Sequence, residues 1–407
     1  MPRGNAPILY SCSSNCSGCG ACAAVCPTGA ISLLPDELGF IYPMIDSEKC
    51  VVCLRCKEAC FFQSTFKQSQ GPCYAAVMKG DASLSSSGGA FFELASSIIK
   101  SGGCAFGAAH VFKDSGFSVR HIRADTIEDL ELIRGSKYVQ SETECCYRDV
   151  LEQLKTGRQV VFSGTPCQIA GIKGFLRKEW TNLFTVDLIC HGVPSPKMLS
   201  EYITKLSEEY DSPVKGAQFR SKRDGWDRSL LLEIEFEDGR IIYLSPTDSS
   251  YYSLFLGLRL FRDSCYACPF AGPSRPGDIT LGDFWGVDIE RPDLLNSGIF
   301  NLNKGISCII INSRQGLKLL DKYGKGLHLA SVSFEEVSKH NDQLRHPSDI
   351  PSDRELYRRA FCAGGWNAVE LLWEKRERGL IYKAKRMAKR IIPNAVVKMV
   401  RKTSGLS

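Results

Sequence analysis

Two runs of four cysteines near the start of the chain constrain its fold more than any other feature. The runs are Cys16, Cys19, Cys22 and Cys26, then Cys50, Cys53, Cys56 and Cys60. Each has the spacing C-x2-C-x2-C-x3-C, and Pro27 follows the first. C-x2-C pairs also serve zinc, but two complete runs with a following proline favour 4Fe–4S clusters, each of which needs four thiolates. The sequence therefore predicts a protein that transfers electrons.

The two runs resemble those of bacterial two-cluster ferredoxins, in which the fourth cysteine of each run binds the other cluster. The resemblance implies one cluster on Cys16, Cys19, Cys22 and Cys60, and another on Cys50, Cys53, Cys56 and Cys26. Residues 1–70 are expected to form this ferredoxin domain, with short strands at Ala30–Leu33 and Gly39–Pro43. A unit of this size has little hydrophobic core, so the clusters take that place.

Length and charge limit the remaining possibilities. A chain of 407 residues suits two to three domains, which we expect at 1–70, 73–155, 156–345 and, as a helical tail, 346–407. Residues 373–402 hold eleven Lys or Arg and two Glu, so the rest of the chain has a net charge of about −3 and no feature of a nucleic-acid-binding protein. The chain shows neither a signal peptide nor a membrane-spanning run, and its nineteen cysteines include ligands that must stay reduced, which predicts a cytoplasmic location.

Two polar loops could hold an anion. Ser86–Gly89 precedes the amphipathic segment Ala90–Ile99, and free N–H groups at a helix start attract phosphate. An ordinary serine N-cap would give the same pattern. Arg134–Ser141 (RGSKYVQS) follows a predicted helix at Thr126–Ile133. This second loop suits either a polar surface turn or a pyrophosphate.

Two further cysteines follow predicted strands of an α/β region. Cys167 follows the strand Gln159–Phe162, and Cys190 follows the strand Leu183–Ile189. The ends of neighbouring strands are where an α/β sheet usually places its site. Cys265 and Cys268 form a C-x2-C pair, which suits a redox disulfide, half a zinc site or half a cluster site. With Cys167 and Cys190 the pair would complete a third 4Fe–4S cluster, although each of those two could instead be a buried small apolar residue.

Other polar residues leave alternatives open. His191 could donate a proton or a hydrogen bond to a reduced cofactor, or only support a cluster ligand. Asp283 and Trp285, in the turn-rich stretch Gly277–Gly286, could orient a ligand or hold a turn. The basic loop around Arg220 suits an anionic cofactor or a solvated hairpin end; its other members are Lys222, Arg223 and Trp226. The remaining cysteines have no partner spacing and are expected to be structural: Cys12, Cys73, Cys104, Cys145, Cys146, Cys308 and Cys362.

The C-terminal segment has the pattern of a basic amphipathic helix. Apolar residues between Leu380 and Ile392 recur at helical spacing and alternate with Lys and Arg. Such helices lie on anionic membrane surfaces, so we expect peripheral attachment at the inner face of the membrane. Docking on another protein chain or a solvated tail are the other interpretations.

Six separated motifs, in order, resemble the family of beta subunits of coenzyme F420 hydrogenase/dehydrogenase. They are Ser86–Gly89, Arg134–Ser141, Gly164–Gln168, Cys190–Val193, Cys265-x2-Cys268 and Gly282–Gly286. The resemblance covers residues 1 to about 340, with the ferredoxin domain fused in front as in many bacterial members. It implies a mixed α/β domain that binds a flavin, usually FAD, beside a 4Fe–4S cluster on Cys167, Cys190, Cys265 and Cys268. The flavin contacts it implies are Ser86, Ser87, Gly88, Gly89, Arg134, Ser136, Lys137, Tyr138, Gln140, Thr165 and Gln168, with His191 as the catalytic candidate.

The resemblance implies an oxidoreductase. Electrons from ferredoxin or another redox protein would reach the flavin, which would reduce a small-molecule acceptor by two electrons. The branch with Ile189–Pro196 resembles bacterial members found beside surface-polysaccharide genes, where use of coenzyme F420 is in doubt. An electron-transfer subunit without a substrate of its own is the second hypothesis, and a redox-sensing protein tethered by the basic tail is the third.

Overall fold

The computed structural model describes residues 6–63, 71–113, 116–226 and 230–377. The strands are β1 Ile31–Pro35, β2 Ile41–Ile45, β3 Cys73–Met78, β4 Cys104–Lys113, β5 Gly116–Ala124, β6 Val160–Gly164, β7 Leu183–Leu188, β8 Val214–Ser221, β9 Leu231–Phe236, β10 Ile241–Leu244, β11 Ile279–Asp283, β12 Ser307–Ile311 and β13 Leu327–Val332. The α-helices are α1 Ala21–Ala24, α2 Arg55–Glu58, α3 Ala90–Lys100, α4 Ile127–Ile133, α5 Glu144–Lys155, α6 Pro166–Leu176, α7 Pro196–Glu209, α8 Ser250–Leu256, α9 Val287–Glu290, α10 Pro292–Leu295, α11 Arg314–Tyr323, α12 Phe334–Ser338 and α13 Arg354–Glu377. Residues 64–70, at the end of the expected ferredoxin domain, lie outside the described residues.

An eight-stranded mixed sheet forms the centre of residues 1–354, in the order β13-β3-β12-β11-β7-β6-β4-β5. Strands β11, β7, β6 and β4 run parallel to one another, and the remaining pairs are antiparallel. The carboxyl ends of these four parallel strands therefore meet at one edge of the sheet, where open α/β sheets bind their ligands. The mixed α/β architecture that the motifs imply is confirmed.

Alternating side chains on the central strands bury both faces of the sheet. On one face, Ala105 and Val161 pack with α3 and α11. On the other face, Phe106 and Phe162 pack with α5 and α6. This period of two places successive residues on opposite faces, so strands covered on both sides are apolar throughout.

The ferredoxin part is small and shares its core with the sheet domain. Strands β1 and β2 form the expected antiparallel pair, with Ile31 opposite Ile45. The short helices α1 and α2 contribute Ala21, Ala24 and Ala59 to the core beneath α5 and α6. The domain therefore gains through this contact the apolar burial that its own length cannot supply.

A separate three-stranded sheet has the order β10-β9-β8, and both of its strand pairs are antiparallel. Its strand β8 contains a bulge between Phe219 and Ser221, and Arg220 within it has φ of 64°. A bulge redirects the side chain of the extra residue. Arg220 consequently turns into the protein, where its side chain is 4% exposed.

One feature differs from the sequence-based expectations. The stretch Gly277–Gly286 contains β11, a central strand paired with both β7 and β12, rather than turns alone. Strand β13, within the expected 156–345 region, adds an edge strand beside β3. Pairing within the sheet outweighs the turn preference of Gly and Asp in β11.

Residues 355–407 form a second unit, of which positions 355–377 are described. They belong to α13, whose backbone departs from helical geometry at Gly364 and Gly365. The predicted amphipathic helix at 380–392, and with it the membrane-attachment hypothesis, lies outside the described residues. Among the helices that are described, none is both long and apolar enough to span a membrane.

Candidate cofactor sites

Four cysteines of the ferredoxin part line a single recess. They are Cys26, Cys50, Cys53 and Cys56, the set that the ferredoxin resemblance assigns to one cluster. Burial raises the pKa of the Cys56 thiol, and the neighbouring Cys53 and Cys26 thiolates add to that rise. Four thiols around one volume suit a group that binds all of them.

The other ferredoxin set also converges. Burial raises the pKa of Cys19 to about 12, with further contributions from Cys167, Cys16 and Cys60. Burial likewise raises the pKa of Cys22, next to Cys19, Cys16 and Cys60. The crossed assignment of Cys60 to the first set thus matches its position.

These thiols are not arranged around a single ion. In the described ranges, no three His, Cys, Asp or Glu side chains converge closely enough to hold one metal ion. A 4Fe–4S cluster separates its thiolates, because each binds a different iron at a different corner. Its irons would also supply the positive charge that deprotonates buried thiols. Thiol-only donors at wide spacing therefore fit a cluster better than zinc.

A third group of cysteines meets at the carboxyl edge of the sheet. Cys167 lies in the first turn of α6 directly after β6, and Cys190 follows β7, its parallel neighbour. Burial raises the pKa of Cys265 to about 12 and that of Cys268 to about 11, and the Cys167 thiolate contributes to both shifts. Burial also raises the pKa of Cys190, again with Cys265, Cys167 and Cys268 as neighbours. The structure thus brings together the four cysteines of the predicted third cluster.

A buried ion pair joins the elements that bear this third group. Asp187 of β7 and Arg275 are 0% and 1% exposed, and their closest N···O distance is 3.0 Å. Arg275 also donates to the carbonyl oxygens of Phe270, at 2.6 Å, and Leu188. The pair therefore ties the loop after Cys268 to the strand end before Cys190.

Helix α6 connects the third group to the first ferredoxin set. A Cβ atom at Gly171 would lie 3.1 Å from Cys19 Sγ, and one at Gly174 would collide with the Ala59 carbonyl oxygen. Tyr147 Oη donates to the Cys19 carbonyl at 2.8 Å. Because these two positions lack side chains, helix α6, which bears Cys167, approaches Cys19 directly. The set with Cys16, Cys19, Cys22 and Cys60 is consequently the neighbour of the third group.

Gln140, predicted as a flavin contact, instead joins the ferredoxin part to the sheet domain. Its Nε2 donates to the carbonyl oxygens of Ser17, at 2.9 Å, and Gly18, at 3.2 Å. Its Oε1 accepts from Arg262 at 3.3 Å. These contacts use both ends of the amide to join the two parts of the chain, and the flavin contact of Gln140 stays a prediction.

Thr165 and Gln168, also predicted as flavin contacts, lie at the start of α6. Gln168 Oε1 accepts from the Thr165 backbone N–H at 3.0 Å, and its Nε2 donates to the Ser141 carbonyl at 3.0 Å. Thr165 Oγ1 lies 3.2 Å from Cys167 Sγ. Their side chains thus fix the helix start and Cys167.

The two predicted anion loops contact each other. Ser86 Oγ accepts from the Ser136 backbone N–H at 2.8 Å and lies 2.9 Å from Ser136 Oγ. Arg134 donates to Ser85 Oγ at 2.9 Å. Helix α3 begins after Gly89, whose φ is 82°, without a side-chain cap. Its first N–H groups therefore remain available beside a basic loop.

Two lysines at these loops bind backbone carbonyls rather than carboxylates. Lys137 Nζ donates to the carbonyl oxygens of Arg134 and Gly135, and Lys222 Nζ to those of Ala82, Ser87 and Lys304. Burial lowers the pKa of Lys137 to about 7 and that of Lys222 to about 8. In the part of the chain that the structure describes, neither ammonium has a carboxylate within ion-pair distance, so an anion at this site would stabilise both.

Aromatic rings and one ion pair form a cluster beside the lysines. Trp226 and Trp285 stack with ring centroids 4.6 Å apart, and Arg220 lies 4.7 Å from the Trp285 ring. Asp283, at the end of β11, accepts from Trp226 Nε1 at 3.1 Å and pairs with Arg220 at 3.4 Å. Planar side chains beside a basic cradle suit a planar ligand that carries phosphate.

Tyr138 and His191 lie near this aromatic cluster. Tyr138 stacks on Phe255 at 4.2 Å, and burial raises the pKa of its phenol. The side chain of His191 is exposed to solvent on one side. Desolvation by the surrounding protein lowers its pKa, and the Asp283 and Asp342 carboxylates have the smaller, opposite effect. A neutral imidazole beside Cys190 fits the predicted catalytic role of His191, which stays a prediction.

Sequence reasoning missed the residues that hold the cysteine groups in place. Arg262, Asp187 and Arg275 are buried charges, and Tyr147 is a buried hydroxyl donor. None belongs to a spacing pattern. The only signal in the sequence was that Arg262 and Arg275 lie within ten positions of the Cys265-x2-Cys268 pair.

This geometry defines an iron–sulfur redox protein in which a cysteine-rich domain docks on a mixed α/β sheet. Comparison with known families agrees. Residues 15–64 match the 4Fe-4S dicluster domain, and residues 157–336 match the C terminus of the coenzyme F420 hydrogenase/dehydrogenase beta subunit. Residues 157–336 therefore carry the C-terminal domain of this family of beta subunits, and residues 15–64 carry a 4Fe–4S dicluster domain in front of it, as the motifs predict.

Individual relatives point to the same class. The chain is 25% identical to one of the subunits of the F(420)H(2) dehydrogenase of Methanosarcina mazei over 347 residues, which cover 80% of this chain and 92% of that one. Over 61 residues it is 43% identical to an uncharacterised polyferredoxin-like protein of Methanocaldococcus jannaschii, covering 13% of this chain and 36% of that protein. A chain of the F420-reducing [NiFe] hydrogenase complex from Methanosarcina barkeri is 18% identical, with a TM-score of 0.45 and coverage of 78% and 96%. The two family-model matches and the relative from Methanosarcina mazei make this chain an iron–sulfur electron-transfer protein related to oxidoreductase subunits.

Proposed function

We propose that this chain is an iron–sulfur flavoprotein oxidoreductase with three 4Fe–4S clusters and one FAD. The observation that supports it most is the meeting of Cys167, Cys190, Cys265 and Cys268 at the carboxyl edge of the sheet, next to Cys19. When bound, the clusters would carry single electrons and the flavin would pair them for a two-electron acceptor.

The order of the cysteine groups indicates where a redox partner would dock. The recess with Cys26, Cys50, Cys53 and Cys56 belongs to the end of the row, because the other ferredoxin set contacts α6. Val51 and Leu54 line this recess and are 51% and 45% exposed. A ferredoxin or another redox protein would find an apolar surface there, and small interfaces are typical of transient redox encounters.

The FAD would lie at the contact of the two anion loops. Lys137, Lys222 and the uncapped start of α3 would hold the pyrophosphate, with Ser86, Ser87, Gly88 and Gly89 forming the turn. Among the residues that the structure describes, none bonds the buried Ser87 Oγ, so a ligand oxygen would satisfy it. Arg134, Ser136 and Tyr138 complete this set, whereas Gln140, Thr165 and Gln168 already bind other groups.

The primary test is the iron, sulfide and flavin content of the anaerobically purified chain. We expect about twelve irons, from three four-iron clusters, and one FAD. Cys268→Ala should lower the iron content to about eight and abolish flavin reduction by a ferredoxin donor. About eight irons and no flavin in the unmodified chain would overturn the proposal.

A second test separates the flavin loops from the cluster ligands. Lys137→Met should weaken FAD binding at least tenfold, since a buried charge-assisted contact is worth about 1.5–3 kcal/mol. Lys339→Met is the control, because Lys339 is exposed and pairs with Glu290. Equal FAD affinity in both variants would place the flavin elsewhere.

A second candidate is an electron-transfer subunit without its own substrate. The relative from Methanosarcina mazei is, by its name, a subunit of a dehydrogenase, and this chain covers 92% of it. Under this alternative, the reduced protein would pass electrons only to a partner protein. Turnover of a small acceptor, such as a deazaflavin, by the isolated chain would exclude it.

A further inference from the structure

Arg262 is a fully buried cation between two of the cysteine groups. Its side chain is 0% exposed and lies 4.1 Å from the Tyr42 ring. It donates to the carbonyl oxygens of Cys16, at 2.7 Å, and Ile41, at 2.8 Å, and to Gln140 Oε1 at 3.3 Å. Within the described ranges, no carboxylate forms an ion pair with it.

The backbone of Arg262 belongs to the third cysteine group. Its N–H donates to the Val193 carbonyl, three residues after Cys190, and its own carbonyl accepts from the Cys265 N–H, both at 3.0 Å. One residue therefore bonds the loop that holds Cys16 through its side chain and the loop that holds Cys265 through its main chain. Its charge is thereby fixed in position relative to both loops.

A buried guanidinium without a carboxylate is costly unless negative charge lies near it. The three acceptors of Arg262 are neutral, so they satisfy its N–H groups without neutralising its charge. Cysteines of both groups bond this residue, because its guanidinium donates to the Cys16 carbonyl and its own carbonyl accepts from the Cys265 N–H. The negative charge of two ligated clusters would provide the missing compensation.

We propose that Arg262 is a positioning residue that sets the reduction potentials of the first and third clusters together. Adding an electron makes a cluster more negative, and a fixed cation shared by two clusters stabilises the reduced form of each. This inference depends on the third cluster of the proposed function. None of the described residues that line the recess with Cys50 bonds Arg262, so the second cluster should be unaffected.

The test is a redox titration of the full chain, followed by electron paramagnetic resonance, in three variants. Arg262→Gln removes the charge, Arg262→Lys keeps it, and Arg259→Gln is the control. Arg259 lies three residues away in the same segment, is 21% exposed and pairs with Asp353. Arg262→Gln should lower the reduced-to-oxidised ratio of the first and third clusters about tenfold at a fixed potential, which is about 59 mV for one electron. Arg262→Lys should stay within threefold, and Arg259→Gln within twofold, of the unmodified chain.

Three results would overturn the inference. The first is an unchanged ratio for both clusters in Arg262→Gln, the second is an equal fall in all three clusters, and the third is a tenfold fall in Arg262→Lys. If Arg262→Gln does not assemble its clusters, the Arg262→Lys result decides. A missing third signal in the unmodified chain would refute the proposed function as well, whereas three normal clusters that ignore Arg262 would refute this inference alone.

Discussion

Replacing Arg275 by leucine should strongly destabilise this protein. The substitution leaves Asp187, which is 0% exposed, as a buried carboxylate without its cation. Removing one partner of a buried ion pair costs about 3–5 kcal/mol, because the remaining charge stays desolvated. Arg275→Leu also leaves the carbonyl oxygens of Phe270 and Leu188 without their donor. We therefore expect an unfolding free energy that is lower by about 3 kcal/mol or more.

The assay is urea unfolding under anaerobic conditions, combined with iron analysis. Arg345→Leu is the matched control, because it breaks an exposed Arg–Asp pair whose members are 47% and 59% exposed. Such surface pairs contribute about 0–1 kcal/mol. Arg275→Leu should also release the third cluster and lower the iron content by about four per chain.

A double variant tests the cause. Asp187→Leu with Arg275→Leu removes both charges and should be more stable than Arg275→Leu alone. The reasoning fails if Arg275→Leu is within about 1 kcal/mol of Arg345→Leu, or if the double variant is the least stable of the three.

Three further predictions follow from the packing and the pKa shifts. Gly174→Ala should lower the unfolding free energy by about 1–3 kcal/mol, because its Cβ would collide with the Ala59 carbonyl oxygen; an increase, as helix propensity alone predicts, would contradict the close docking. His121 bonds Ser141 and Ser163, and burial lowers its pKa to about 4. Between pH 6.5 and 4 the unfolded chain binds a proton at this histidine that the folded chain does not bind, so the unfolding free energy falls as the pH falls. In urea unfolding between pH 7 and 5, the unfolding free energy of His121→Gln should fall by about 2 kcal/mol less than that of the unmodified chain. With the Lys137 pKa at about 7, the unfolded chain holds an extra proton between pH 7 and 10.5, so the stability of the flavin-free protein should rise with pH in that window. Lys137→Met should remove this rise, and a slope equal to that of the unmodified chain would show that Lys137 is not buried as described.

Local patterns in the sequence were sufficient for much of the fold. The predicted helix at Thr126–Ile133 is α4, with Thr126 as its N-cap, and the predicted strand at Leu183–Ile189 is β7. These elements have periodic apolar residues and clear start signals. Strand β11 was missed, because Gly282 and Asp283 favour turns and only its neighbours on both sides make it a strand.

Some residues of the candidate site could likewise be predicted from the sequence, and others depend on the fold. Spacing alone identified the eight cysteines of the ferredoxin part, because a cluster takes its tight three ligands from one short loop. Gln140 shows the limit: its loop has the composition of a ligand contact, but the fold brings it against Ser17, 123 residues away. The donors and acceptors of a polar side chain limit which hydrogen bonds are possible, and its neighbours in the fold determine which of them form.

The sequence by itself determined the chemistry of this protein. The cysteine runs, the C-x2-C pair and the glycine-rich loop before α3 are local, so their chemistry is readable without the fold. Only the tertiary structure decided how these parts connect. Arg275 meets Asp187 across 88 residues and Arg262 meets Gln140 across 122. Such buried contacts depend on which strands are neighbours and on how closely α6 approaches Cys19, and no local propensity encodes either.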